Sequence, residues 1–162
     1  MRRSKVRYIT MALAVAIALA ACSSSSKSAT PPTSAASSTT VTTVPAPTVS
    51  VRRTPLGTVL VNNAGRTLYR YDKDSAGTSK CTDACASVWP PLAPSGTATY
   101  GTGLRPAMFS TITRADGTKQ LAVNGSPLYT YSGDQRAGDT TGQGLGDFYV
   151  VGSNGNMIGH SS

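Results

Sequence analysis

Leu68-Tyr69-Arg70-Tyr71-Asp72-Lys73-Asp74 and, sixty positions later, Leu128-Tyr129-Thr130-Tyr131-Ser132-Gly133-Asp134 carry one pattern, Tyr-x-Tyr with an Asp three positions on. The echo runs backward in the same register: Gly57-Thr58 matches Gly117-Thr118, Val61 matches Leu121, and Gly65 matches Gly125. Alternation puts Leu68 on one side of a strand and Tyr69 and Tyr71 on the other. The β-branched, apolar stretch Thr58–Asn62 precedes the first copy, and Asn63-Ala64-Gly65 supplies a turn between them. The second copy repeats this with Lys119–Val123, the Asn124-Gly125 turn and a return strand from Pro127 to Tyr131. The folded part is therefore expected to be two pseudo-repeated hairpin units.

Strands are also expected at Met108–Arg114 and Asp147–Val151, with Met157-Ile158 as a closing edge. The one helical stretch is Thr82–Trp89: Thr82 as N-cap, Asp83 beside it, and Pro90-Pro91 as the stop. Its Cys85, Val88 and Trp89 side must pack on the sheet, because so short a helix does not stand alone. The expected fold class is mainly β: a small antiparallel sheet or sandwich of two pseudo-repeated hairpin units with one short helix, after a disordered tether. Two units are too few for an open solenoid or propeller.

Residues 1–21 read as a lipoprotein signal peptide. Arg2, Arg3, Lys5 and Arg7 precede an uncharged apolar run from Ile9 to Ala21 that is short of the roughly 20 residues a membrane-spanning helix needs. It ends in Leu19-Ala20-Ala21-Cys22, which resembles a bacterial lipobox and implies a diacylglyceryl group on Cys22. Residues 22–52 form a Ser/Thr/Pro/Ala-rich linker, and residues 53–160 the β domain, its pseudo-repeats at about 56–92 and 108–152. Without the signal, 11 basic residues face seven acidic ones, all Asp, for a net charge of +4. This mild balance gives no reason to expect nucleic acid. Lipidation of Cys22 would leave Cys81 and Cys85, for which a disulfide is the default in an oxidising compartment. A metal-binding or redox-active pair, or two free thiols, are the alternatives.

The duplicated Tyr-x-Tyr-x-x-Asp, together with Cys81-x3-Cys85-x3-Trp89-Pro90-Pro91-Leu92, resembles the secreted-repeat bacterial lipoproteins, a family of unknown function with a Y-x-[FWY]-x-x-D motif. The resemblance covers about Leu56 to Val151 and puts the motif on Tyr69, Tyr71 and Asp74, then on Tyr129, Tyr131 and Asp134. It implies an envelope location and a repeat, but no reaction or ligand. Members often carry Trp-His or Trp-Tyr where this chain has Phe148-Tyr149.

Each candidate site residue has an architectural reading beside a functional one. The tyrosines either pin the hairpins as core and rim, or form an aromatic face that stacks on a glycan, quinone or porphyrin. Asp74 and Asp134 either accept loop N–H groups or form an acid pair for hydrolysis. Asp72, Asp74, Asp139 and Asp147 are weak calcium candidates, lacking the closing Glu of a calcium loop. The long loop Ser132–Gly146 is a candidate binding element. The single His, His160, stands near the C-terminus, which argues against a His-based triad or a His-rich metal site. No catalytic residue and no cofactor are predicted. The expected molecule is a monomeric lipoprotein on the extracytoplasmic face of the membrane, binding an envelope protein, glycan or small ligand. A redox accessory using Cys81/Cys85 or a bound cofactor is the alternative, and a hydrolase ranks third.

Overall fold

The structure, a computed structural model, describes residues 48–160. The signal segment, Cys22 and the linker up to residue 47 lie outside the described residues. The fold is mainly β, with seven strands: β1 (Val49–Thr54), β2 (Gly57–Asn62), β3 (Tyr69–Tyr71), β4 (Phe109–Thr113), β5 (Lys119–Val123), β6 (Ser126–Pro127) and β7 (Phe148–Val150). One helix, α1 (Asp83–Val88), lies between β3 and β4. All ladders are antiparallel: β1 with β2, β3 with β7, and β5 with both β4 and β6.

β1 begins at Val49, within the stretch the sequence reading assigned to the linker. Its Ser, Thr and Val residues look like the preceding tether until β2 pairs with them from Val49↔Asn62 to Thr54↔Gly57. That pairing buries Val49 completely. β1 is the counterpart of β4, so each repeat contains a full two-stranded hairpin before its motif strand.

The repeats do not stand side by side; they exchange strands. Leu68 N–H bonds Leu60 C=O at 2.9 Å, Leu60 N–H bonds Val151 C=O at 2.8 Å, and Val151 N–H bonds Leu68 C=O at 3.0 Å. The same triangle recurs as Leu128 to Leu121 at 2.9 Å, Leu121 to Leu92 at 2.8 Å, and Leu92 to Leu128 at 2.9 Å. The strand that ends repeat 2 thus closes onto the hairpin of repeat 1, and the strand that ends repeat 1 closes onto the hairpin of repeat 2. At the centre, Tyr69 and Tyr129 exchange reciprocal backbone bonds of 2.9 Å each. This point acts as a pseudo-twofold axis.

The triangles also correct the register. Leu60, not Val61, is the counterpart of Leu121. Repeat 2 turns through two residues, Asn124 and Gly125, both at positive φ (49° and 77°), as a type I′ hairpin requires. Repeat 1 turns through three, Asn63-Ala64-Gly65: Asn62 N–H bonds Arg66 C=O at 2.9 Å, and Gly65 sits at φ 76°. The extra turn residue shifts β2 by one position relative to β5.

Two apolar layers follow from the alternation. Val49, Leu60, Leu68, Leu121, Leu128 and Val151 fill one, with Phe109 and Leu104. Val59, Val61, Tyr69, Tyr129, Trp89, Phe148 and Val150 fill the other, with Cys81. Helix α1 departs from expectation in two ways. Thr82 occupies the N-cap but its side chain makes no capping bond, and the next residue, Asp83, has φ 51°, outside right-handed helical geometry. Val88 is 45% exposed, so Trp89 is the buried contact and Cys85 is only half-buried.

Candidate functional site

The duplicated motif closes on itself across the axis. Tyr69 donates its hydroxyl hydrogen bond to Asp134 Oδ2 at 2.7 Å, and Tyr129 donates to Asp74 Oδ2 at 2.6 Å. The aspartate of each repeat therefore holds the first tyrosine of the other. Each remaining oxygen gathers the loop behind it: Asp74 Oδ1 accepts Lys80 N–H at 2.7 Å, and Asp134 Oδ1 accepts Thr141 N–H at 3.0 Å and the Thr141 hydroxyl at 2.7 Å. Burial, then the hydrogen-bonded carboxylates, push both phenols well above the ordinary tyrosine range. Burial also raises the Asp74 carboxyl, against the Lys80 N–H and Tyr129 hydroxyl that favour its charged form.

The second tyrosines cap an aromatic stack. Tyr71 lies on Phe148 at 4.4 Å between ring centres, Phe148 on Trp89 at 3.9 Å, and Trp89 on Tyr131 at 4.4 Å. Tyr69 and Tyr129 meet it edge-on, at Trp89 and Phe148 respectively, at 5.2 and 5.3 Å. Trp89 and Phe148 are thus counterparts across the axis. The edge-to-face contacts suit the quadrupoles of the rings.

The proposed tyrosine face is consequently interior. Tyr69 and Tyr129 are fully buried and Asp134 is 1% exposed, while Tyr71, Tyr131 and Asp74 are half-buried. Only the ends of the stack reach the surface. Alternation alone put the tyrosines on one face; the exchange of strands brings the two faces together and covers them. The loop Ser132–Gly146 lies over this stack. A Cβ on Gly142 would stand 2.7 Å from the Trp89 ring and 3.0 Å from Tyr131, and Gly142 N–H bonds the Tyr69 hydroxyl at 3.3 Å. Gly138 N–H further ties the loop to Gly65 C=O at 2.9 Å.

Cys81 and Cys85 form a disulfide, with Cα atoms 5.2 Å apart. Cys81 is buried ahead of α1 and Cys85 lies within the helix. The four calcium candidates have separate partners. Asp72 meets His160 Nε2 at 3.1 Å, Asp147 meets Lys73 at 2.6 Å, Asp139 accepts the N–H groups of Gln135 and Arg136, and Asp74 holds Tyr129. Among the described residues no three His, Cys, Asp or Glu side chains group to hold a metal ion. His160 is not loose: its ring packs edge-on against Tyr149 at 4.7 Å.

One polar cluster escaped the sequence reading. Arg114 is 6% exposed and donates to Ser79 Oγ at 2.8 Å, Gln120 Oε1 at 2.6 Å and Cys81 C=O at 2.6 Å. Ser79 shares a hydrogen bond with the Tyr129 hydroxyl at 2.7 Å, so the buried cation reaches the Asp74–Tyr129 pair. The signal was parity: Arg114 shares a strand face with Ile112, which is buried. The counterpart of Gln120 in repeat 1 is Val59, so the cluster occurs only on the Tyr129 side.

The surface of the described residues also has concavities, of which two bear on binding. The larger, about 430 Å³, runs along Ser50–Arg52 and Val61–Gly65. The other, about 240 Å³, is lined by Asn62, Arg66, Pro90, Thr130, Tyr131 and Ser132. Among the described residues Arg66 has no carboxylate partner. The second concavity therefore combines an available cation with hydroxyl and amide groups.

No helix among the described residues is long and apolar enough to cross a membrane. Comparisons with curated proteins and with solved structures find no match. A family model described as a secreted repeat of unknown function matches residues 50–93 and 110–151, the two strand-exchanged repeats. The chain belongs to that family of secreted repeats.

Proposed function

We propose that the protein is a lipid-anchored envelope lipoprotein whose β domain serves as a non-enzymatic binding module. The observation that carries the binding role is the division of polar groups. Both motif aspartates and both first tyrosines hold the repeats to each other, whereas Arg66 and its neighbours stand in an open depression. With each carboxylate engaged by a tyrosine hydroxyl and a loop N–H, neither has the role of a hydrolytic acid. The anchor rests on the basic segment, the apolar run and Leu19-Ala20-Ala21-Cys22, together with the secreted character of the family.

Fatty-acid labelling and membrane fractionation of the full chain and of Cys22→Ser test the anchor. Label and membrane association should both vanish in the variant; a Cys22→Ser chain that stays on the membrane refutes it. A redox accessory is the second reading, favoured by a disulfide whose half-buried Cys85 packs against the aromatic layer. Equilibration with glutathione buffers tests it. A bond that stays oxidised throughout the glutathione series, as a structural disulfide with a potential below about −300 mV does, removes this reading.

A further inference from the structure

The pseudo-twofold axis gives the open depression a counterpart, and the counterpart is filled by peptide. Strand pairing makes Thr130 the equivalent of Arg70, Ser132 of Asp72, and Pro90 of Tyr149. Around Arg70, Asp72 and Tyr149 the chain lays down its own C-terminal segment. Asn124 Nδ2 donates to Asn154 C=O at 3.2 Å, and Arg70 donates to Gly155 C=O at 3.0 Å. Ile158 N–H bonds Val150 C=O at 2.8 Å, and His160 ends on Tyr149 and Asp72. Gly155 is seated so closely that a Cβ would stand 2.8 Å from Val123 and 2.9 Å from Met108. Repeat 1 has no such cover. After Leu92 the chain turns away through Ala93 and Pro94, and among the described residues neither Pro91 C=O nor Ala93 N–H has a hydrogen-bond partner. Their equivalents, Val150 C=O and Gly152 N–H, are the groups that bond Ile158 and Asn156.

The charges of the two places differ. The filled one carries both Arg70, which holds Gly155 C=O, and Asp72, which receives a histidine. The open one replaces Asp72 with Ser132 and adds Arg66. We infer that the depression at Arg66, Pro90, Thr130 and Ser132 is a docking site for an extended acidic peptide segment of another protein, its carboxylate meeting Arg66 and its backbone meeting the Pro91–Ala93 edge. This rests on the binding-module reading and names its partner. A guanidinium pairs with a carboxylate in two-pronged geometry, and a free strand edge accepts an extended chain.

The test uses the mature Cys22→Ser chain, the full sequence after residue 21, and a fluorescently labelled Gly-Asp-Gly-Asp-Gly-Asp peptide. Binding should saturate and weaken with salt. It should fall at least tenfold when each Asp of the peptide is replaced by Asn, and at least tenfold with Arg66→Ala. Ser132→Asp, which recreates the partner found in the filled place, should abolish binding while leaving the melting temperature unchanged. Arg105→Ala, an exposed cation outside the lining of the depression, should bind as the parent does. Equal binding of the Asn peptide, or undiminished binding by Arg66→Ala, overturns the inference. So does self-association that Arg66→Ala abolishes, which would put a second copy in the site. A neutral trisaccharide that binds and is lost with Arg66→Ala, where the peptide does not bind, overturns the peptide and leaves the binding module standing. Absence of binding by the acidic peptide and by the trisaccharide removes both.

Discussion

Replacing Tyr69 by Phe removes one oxygen atom and opens one of the two crossed contacts. The ring can keep its edge contact with Trp89, so packing is nearly conserved. What is lost is the 2.7 Å bond to Asp134 and the acceptor for Gly142 N–H. Asp134 is 1% exposed, so its Oδ2 would be left without a donor and without ready access to water. A hydrogen bond to a charged group is worth about 1.5–3 kcal/mol, and stranding a buried acceptor moves the cost toward the upper end. The expected loss is about 3 kcal/mol, or a fall in melting temperature of about 12 °C at about 4 °C per kcal/mol for a domain near this size. Tyr129→Phe should cost less, about half as much, because Asp74 is only half-buried and water can replace the hydroxyl. Urea unfolding of the mature Cys22→Ser background, with Asp134→Ala and the double variant completing a cycle, measures the coupling directly. A cost below about 0.5 kcal/mol for Tyr69→Phe would refute the claim that crossed tyrosine–aspartate bonds hold the repeats together.

High pH should act through the same residues. Tyr69 and Tyr129 have folded pKa values raised above the unfolded value, so their contribution is present below pH about 10 and is lost as pH rises beyond it. Ultraviolet titration should show these two phenols ionising only together with unfolding; their independent ionisation in the folded state would contradict the burial. Gly142→Ala should destabilise by about 1–3 kcal/mol through the 2.7 Å approach to Trp89, with near-ultraviolet circular dichroism reporting the disturbed ring. An unchanged melting temperature would mean that the loop does not press on the stack. Replacing Cys81 and Cys85 together by Ala should cost about 2 kcal/mol by the chain-entropy estimate for so short a loop, measured by urea unfolding. Loss of folding altogether would contradict so modest a contribution.

Several features were legible because they are local. Asn124-Gly125 demands a tight hairpin whatever surrounds it, and Pro90-Pro91 ends a helix because Pro90, just past the C-cap, has no N–H to continue it and a ring that clashes with the preceding turn. The sixty-residue echo of Tyr-x-Tyr-x-x-Asp showed two related units. β1 was not legible, since Val49-Ser50-Val51 differs little from the tether before it and becomes a strand only by pairing with β2. Val88 illustrates the opposite error: an apolar residue on a short helix suggests a buried face, yet the sheet behind α1 is already covered by Trp89.

The sequence by itself determined that the chain is a duplicated β domain preceded by a secretion signal pattern, because periodicity, turn residues and repeat spacing are properties of neighbouring residues. Only the tertiary structure decided what the motif is for. Whether Tyr69 meets Asp74 of its own repeat or Asp134 of the other depends on the exchange of strands, which involves partners 65 positions apart. The same exchange turned an expected binding face into the interior. It left the one place that lacks its counterpart's peptide cover, beside Arg66, as the open surface.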